Sequence, residues 1–348
     1  ADALQDGAAF PDELRVRDTR HGQDLGRLRL GERARARYGQ PYATLHRADL
    51  QQVLLAAVSG EARVVLQQGR RVTAFEPDGD AVAVRLASGE EHRASALLGC
   101  DGLWSAVRAR LLDDGSPLPT GHLAWRGMVR STDLPARQRA RAVTAWLGPK
   151  HHLVHYPVRR GEWINVVAVV HGQVATGSDA RSWLQAADGA DLRRTLGPLC
   201  ADLQAVVDAV PQWSLWQLHD RPPLQAAAQM AQGRVALLGD AAHPMRPYLA
   251  QGAAMALEDA WTLGRLAAHA PGTAIDWPAV LARYAQARWA RAARVQQRSQ
   301  RNGRVFHADG WLRLGRNTAM AVLGERLLDN AWLYAGPPDP SPDRSRGP

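Results

Sequence analysis

Apolar residues follow three patterns along this chain, and each predicts a different element. Two short runs, Ala96 to Leu98 and Val235 to Leu238, show no alternation, as expected of strands buried on both faces. Residues 151–170 carry two strand-like runs around Arg159-Arg160-Gly161-Glu162, which predicts a hairpin. Leu14, Val16, Leu28 and Leu30 around the polar His21-Gly22 predict another. Shorter strands are expected near Arg63–Leu66, Val72–Glu76 and Val82–Leu86, with Pro77-Asp78-Gly79-Asp80 turning between the last two. Residues 116–230 are rich in strand signals. Helical spacing marks Leu50, Val53, Leu54 and Ala57, an Ala-rich stretch from Gln251-Gly252 to about His269, and most of 276–330. No internal repeat is visible.

Composition narrows the class. A chain of 348 residues is long enough for two domains. No apolar run approaches the roughly 18 residues of a membrane span, and no signal-peptide pattern opens the chain. Cys100 and Cys200 lie far apart and imply no disulfide framework, so a cytoplasmic location is expected. The net charge is +9, and Lys150 is the only lysine. Arg283, Arg288, Arg291, Arg294, Arg298, Arg301 and Arg304 recur mostly three or four apart, one basic stripe on a helix. Such a stripe suits an anionic partner or is a solvated face. No aromatic platform accompanies it, so nucleic acid is not expected.

The chemistry concentrates at three places. In residues 234–260, the buried run ends in Gly239-Asp240, a loop with Pro244 and Pro247 follows, and Gln251-Gly252 opens a helix. Asp240 thus sits at the C-terminal edge of a buried strand, where α/β sheets bind ligands. The helix turns its N-terminal amides toward that edge, a site suited to an anion. In residues 95–110, another apolar run ends in Asp101-Gly102, and Ser105 is placed to cap the next helix above Arg108. Upstream, Leu45-His46-Arg47-Ala48-Asp49-Leu50 precedes the helix with the Leu50 face.

These segments, in this order and with these gaps, resemble the group A FAD-dependent aromatic hydroxylases of the salicylate, 3-hydroxybenzoate and 6-hydroxynicotinate type. The resemblance runs to about Tyr334. It implies an α/β, para-hydroxybenzoate-hydroxylase-like flavin fold, with a Rossmann-type FAD domain, an interleaved β-rich substrate domain and C-terminal helices. It implies FAD as cofactor, NADH or NADPH as co-substrate, and O2 activated as a C4a-hydroperoxide that hydroxylates a small aromatic acid. Arg47, Leu66, Asp101, Gly102, Gly239, Asp240 and Gly252 are the cofactor-binding positions it implies. Pro247 and Gln251 would lie near the reacting ring, and Tyr248 beside the substrate. His243 would order the loop. Arg246 replaces a commonly apolar residue, so it tunes substrate choice or points to solvent. A monomer or homodimer without membrane contact is expected.

The family's opening Gly-x-Gly-x-x-Gly turn is missing, since no two glycines lie two positions apart. Ala1-Asp2-Ala3-Leu4 reads as the tail of the helix that follows that first unit. The FAD domain is therefore expected to be N-terminally truncated. The expected division is 1–40 (residual helix and substrate-domain hairpin), 41–115 and 231–275 (FAD domain), 116–230 (substrate domain), 276–335 (helices) and 336–348 (disordered tail). An inactive, truncated flavin-fold protein is the alternative, and an anion-binding module a more remote one.

On the substrate side, strand alternation puts His152, Val154 and Tyr156 on one face and His151, Leu153 and His155 on the other. In the related hydroxylases a His and a Tyr four apart face the substrate, and His152 and Tyr156 match that pair. An imidazole near its reference pKa of about 6.5 can accept or relay a phenolic proton. His152 could instead be an ordinary surface histidine. Because alternation splits the three histidines across two faces, no metal is expected on them. Arg126, in Trp125-Arg126-Gly127, either binds a substrate carboxylate or forms a structural ion pair. Twelve tryptophans against three phenylalanines are read mostly as packing.

Overall fold

The computed structural model describes residues 2–173, 185–269 and 274–340. The chain forms two compact units and crosses between them repeatedly. One comprises 1–66, 121–218 and 304–335, the other 67–120, 219–303 and 336–348. This is the mixed α/β architecture expected.

The first unit is built on an eight-stranded sheet. Its spatial order is Gln185–Ala187, Trp213–Asp220, Leu118–Arg130, Trp163–His171, His151–Val158, Ala142–Gly148, Glu13–Asp18 and Asp24–Arg29. Both expected hairpins form antiparallel pairs, and Glu13–Asp18 lies parallel to Ala142–Gly148. Trp125, Trp146, Leu153, Ile164, Val166 and Ala168 are buried together. Leu192, Leu203, Val206 and Val207 close that core from the helices Gly189–Leu196 and Ala201–Ala209. The strand-rich reading of 116–230 missed those two helices, although their leucines and valines recur at helical spacing. Gly127 is required by close packing: a Cβ there would lie 2.2 Å from Val210 Cγ1.

The second unit holds the parallel pair Leu97–Gly99 and Val235–Leu237, flanked by Ala231–Gln232. A three-stranded antiparallel meander, Val72–Asp78, Ala81–Leu86 and Glu91–Ala94, accompanies it. Val82, Met230, Ala236, Leu237, Leu281 and Tyr284 form its core. The helices Ala106–Leu112 and Gly252–Ala268 follow the two parallel strands, as expected. Gly99 lets strand and helix approach, because a Cβ there would stand 2.8 Å from Val107 Cβ.

Four expectations need correction. Residues 63–66 form no strand; they are irregular and Val65 is 80 % exposed. Among the described residues no strand pairs with them, and an apolar run without a ladder partner leaves its backbone to water. The helix Arg47–Ser59 forms, but no residue of it is buried within the described chain. Its Ala, Leu and Gln content supports helix by propensity alone. The arginine stripe is not one face of the helix Trp277–Phe306. Arg288 is fully buried on Asp259 and Glu258, and Arg291 also pairs with Glu258, whereas Arg283, Arg294, Arg301 and Arg304 are exposed. Finally, Asp339 within the expected disordered tail pairs with Arg265 at 3.2 Å, while 341–348 lie outside the described residues. Among the described residues no helix is long and apolar enough to cross a membrane.

Candidate active site

In the second unit, the strand Val235–Leu237 ends in Gly239, whose φ of 58° turns the chain sharply. Asp240 follows in a single turn, Gly239–Ala241. Its Oδ1 lies 3.8 Å from where a Cβ on Gly252 would stand, so the carboxylate sits at the N-terminus of a 17-residue helix. Gln251 is the residue before that helix, and Pro247 lies in the half-buried loop ahead of it.

The loop is held from behind by Asp259, which is completely buried. Its Oδ2 accepts from the Gly239 amide at 2.9 Å and lies 2.6 Å from His243 Nε2; its Oδ1 accepts from Arg288 Nε at 2.7 Å. Burial opposes ionisation of Asp259. His243, Arg288 and the Gly239 amide outweigh it and hold the carboxyl below its usual range. His243 thus orders the loop, as expected. Asp259 and Arg288 carry no named role in the sequence reading. Asp259 falls four residues from both Met255 and Leu263 on the buried helix face, and an acid in that stripe is the signal that could have revealed it.

Asp101 turns its carboxylate onto its own helix. It accepts from Ser105 Oγ at 2.5 Å and from the Ala106 and Val107 amides at 2.7 and 3.2 Å. Ser105 caps that helix through the Arg108 amide, as expected. Gly102 takes a φ of 74°. Arg108 is buried and donates to the Ala241 and Ala242 carbonyls, tying the Asp-Gly turn to the Gly-Asp turn. Arg246 does not simply point to solvent: its Nε donates to Asp220 at 2.7 Å, and its carbonyl accepts from Ser299. Tyr248 is buried with its ring against Gly303, where a Cβ would come within 2.8 Å.

In the first unit, the register Asn165↔Tyr156 and Val169↔His152 confirms that His152 and Tyr156 share a face. His152 is not a surface histidine; it is 1 % exposed, packs edge-on to Phe306 and lies 2.8 Å from His307 Nε2. Burial, with lesser contributions from His151 and His122, pushes it down to about 3, so it is neutral at pH 7. His151 and His155 are buried as well, His155 beside Trp146 Nε1 at 3.4 Å.

Tyr156 occupies a different neighbourhood. Burial raises its pKa, and nearby Arg126 and Asn165 lower it. The Arg126 guanidinium lies 4.9 Å over the Trp216 ring, and its buried Nε has no hydrogen-bond partner among the described residues. Burial lowers its pKa, Tyr156 raises it and Arg47 lowers it further. No structural ion pair holds Arg126 among the described residues, so that alternative is not what the geometry shows. His46 also feels Arg126: burial depresses its pKa, Asp49 raises it, and Arg159 and Arg126 lower it. Arg159 in turn grips Asp49 with two bonds of 2.7 and 2.8 Å. The sequence reading quoted His46 without a role, and Trp216 was not singled out. Arg47 is exposed at the start of its helix, and Leu66 is exposed on an irregular segment.

The family model described as FAD binding domain matches residues 14–299. The chain belongs to the family of FAD-dependent aromatic hydroxylases. It is 36 % identical over 337 residues to a 3-hydroxybenzoate 6-hydroxylase of Polaromonas naphthalenivorans (strain CJ2), covering 94 % of this chain and 80 % of that one. It is 34 % identical over 322 residues to a 6-hydroxynicotinate 3-monooxygenase of Bordetella bronchiseptica, covering 91 % and 78 %. The fold matches Klebsiella pneumoniae HpxO complexed with FAD and uric acid, with TM-score 0.82, 24 % identity and coverage of 97 % and 83 %. FAD is the family's cofactor, and the residues here fit it. A carboxylate beside a glycine-started helix N-terminus offers an acceptor for hydroxyls and amides for an anionic edge.

Proposed function

We propose that this chain is an NAD(P)H-consuming monooxygenase that hydroxylates a small phenolic or hydroxypyridine-type carboxylic acid. The observation that carries the substrate class is Arg126: a buried guanidinium, stacked on Trp216, beside the Tyr156 hydroxyl and without an acidic partner among the described residues. A substrate carboxylate would satisfy it with charge-assisted hydrogen bonds. Bound FAD would supply the redox chemistry: two electrons from NADH or NADPH, and O2 activation that leaves one oxygen atom on the ring and the other in water.

The chain's own residues then divide the work. Asp240 would hold the cofactor as an acceptor for its hydroxyls, and the helix start at Gln251-Gly252 would offer amides to its polar edge. Gly239 and the Asp101-Gly102 turn would shape the second unit's backbone for it. Arg47 and Leu66 are the further cofactor-binding positions that the resemblance implies. In the first unit, Tyr156 and Arg126 would orient the acid. In the second, Pro247 keeps the place near the reacting ring, and Tyr248 the place beside the substrate, that the resemblance implies. His152 keeps a role, but a changed one. The resemblance implies a place for it at the substrate; with its basicity lowered by burial, it would act there as a neutral imidazole and not as a base that stores the proton. The free cysteines Cys100 and Cys200 support a reducing, cytoplasmic setting.

The test is NAD(P)H oxidation and product analysis with FAD-loaded protein on 3-hydroxybenzoate, salicylate and 6-hydroxynicotinate. A hydroxylated product from one of them, lost when its carboxylate is replaced by a carboxamide, is expected. Turnover of neutral phenols in preference to the acids would refute the Arg126 assignment.

A further inference from the structure

We infer that His122, His171 and His307 in the first unit form a binding site for one divalent transition-metal ion of the zinc class. One ring nitrogen from each lies within 4.8 Å of those of the other two. His122 and His171 are direct partners across antiparallel strands, with ring centroids 4.6 Å apart. His307 follows the helix Trp277–Phe306 and brings its ring to 5.1 and 5.0 Å from those two. Each ligand comes from a separate segment, so no sequence spacing reveals the set.

The geometry is that of a tripod. His171 Nε2 and His307 Nδ1 are 3.0 Å apart. Zinc–nitrogen bonds of about 2.0–2.1 Å in a tetrahedron place ligand nitrogens about 3.3 Å from one another. A shift of a few tenths of an ångström therefore converts this contact into a shared ligand edge. The backbone is braced for it by one residue. Lys150, at a φ of 60°, donates its amide to the His307 carbonyl at 3.2 Å and accepts from the His171 amide at 3.1 Å.

An outer partner is also present. His307 Nε2 lies 2.8 Å from His152 Nδ1. With His307 donating there, its Nδ1 lone pair faces His171 and His122, as metal-ligating imidazoles are usually held. His307 is buried, His122 half-buried and His171 exposed, so the tripod opens to solvent on one side and leaves a fourth position for water. Three neutral nitrogens select zinc, nickel or copper over magnesium or calcium. The ion would clasp the segment around His307 to two strands of the sheet, adding its binding free energy to folding.

The experiment uses the untagged full chain stripped with EDTA, then dialysed against Zn²⁺ and, separately, Co²⁺. About one bound Zn²⁺ per chain is expected, with a raised melting temperature and the visible absorption of four-coordinate Co²⁺. His171→Ala and His122→Ala should each weaken binding by at least about tenfold, with circular dichroism in EDTA unchanged. His171→Asn serves if the alanine variant misfolds. Absence of stoichiometric metal in the parent chain, or equal binding in the His171 and His122 variants, would overturn the assignment. Neither outcome bears on the hydroxylase reading, which the product assay tests separately.

Discussion

Asp240 and Asp259 lie on the same strand–loop–helix unit, yet their removal should have separable consequences. Asp259 is fully buried with three donors converging on it, namely the Gly239 amide, His243 and Arg288. Asp259→Ala leaves two buried donors unpaired, and it leaves Arg288 with only Glu258 to balance its charge. Breaking a buried ion pair on one side costs about 3–5 kcal/mol, a large share of the roughly 5–15 kcal/mol that stabilises a domain. Asp259→Asn, which keeps the shape and one acceptor, should cost less. Asp240 is half-buried beside Gly252, and its expected contribution is to the cofactor. A hydrogen bond to a charged group is worth about 1.5–3 kcal/mol, so Asp240→Ala should weaken FAD binding by about 10- to 100-fold. Urea unfolding of the apoprotein and fluorescence titration with FAD separate the two effects. An Asp259→Ala midpoint equal to that of the parent would refute the buried-hub argument. An unchanged FAD affinity in Asp240→Ala would remove Asp240 from the cofactor site.

Four further outcomes follow from the geometry. Burial holds His151, His152 and His155 at about 4, 3 and 4, below the ordinary 6.5. The unfolded chain takes up those protons first, so the stability is complete above about pH 6.5 and drains as pH falls toward 4, by up to about 1.4 kcal/mol per pH unit for each histidine. Urea midpoints at pH 7.5 and pH 5 check this, and equal midpoints would contradict it. His152→Ala should lower the product formed per NAD(P)H consumed. His151→Ala and His155→Ala should lower stability and leave that ratio unchanged, as judged by product analysis beside thermal melting; loss of coupling in all three would show the strand register is not what matters. Gly127→Ala forces a Cβ to 2.2 Å from Val210 Cγ1, and such overpacking costs about 1–3 kcal/mol; Gly127→Ala with Val210→Ala should recover part of it in the same melting assay. Arg126→Gln should raise KM for the acid more than it lowers kcat, and a pure kcat loss would place Arg126 outside the carboxylate site.

Much of this was legible because local patterns coincide with tertiary ones. The unbroken run at Val235 fits a doubly buried strand, and Gly239-Asp240, the prolines and Gln251-Gly252 then placed a carboxylate at a helix start. Alternation alone gave the shared face of His152 and Tyr156. What stayed hidden depends on contacts between distant segments. Burial of His152 comes from Phe306 and His307, more than 150 residues away along the chain. Arg288 looked like one member of a basic stripe, because its acids lie on another helix 29 and 30 residues earlier. The helices Gly189–Leu196 and Ala201–Ala209 were obscured by strand-rich neighbours on both sides.

Hydroxylation of an aromatic acid whose carboxylate meets Arg126 is the central claim. The direct measurement is product formed per NAD(P)H oxidised by the FAD-loaded parent and by Arg126→Gln, with 3-hydroxybenzoate and with 3-hydroxybenzamide. The account predicts hydroxylated product from the acid with the parent, and a large loss of kcat/KM when either the carboxylate or the guanidinium is removed, with little further loss when both are. Hydroxylation of acid and amide at equal efficiency, or no NAD(P)H-dependent product from any aromatic acid, would contradict it.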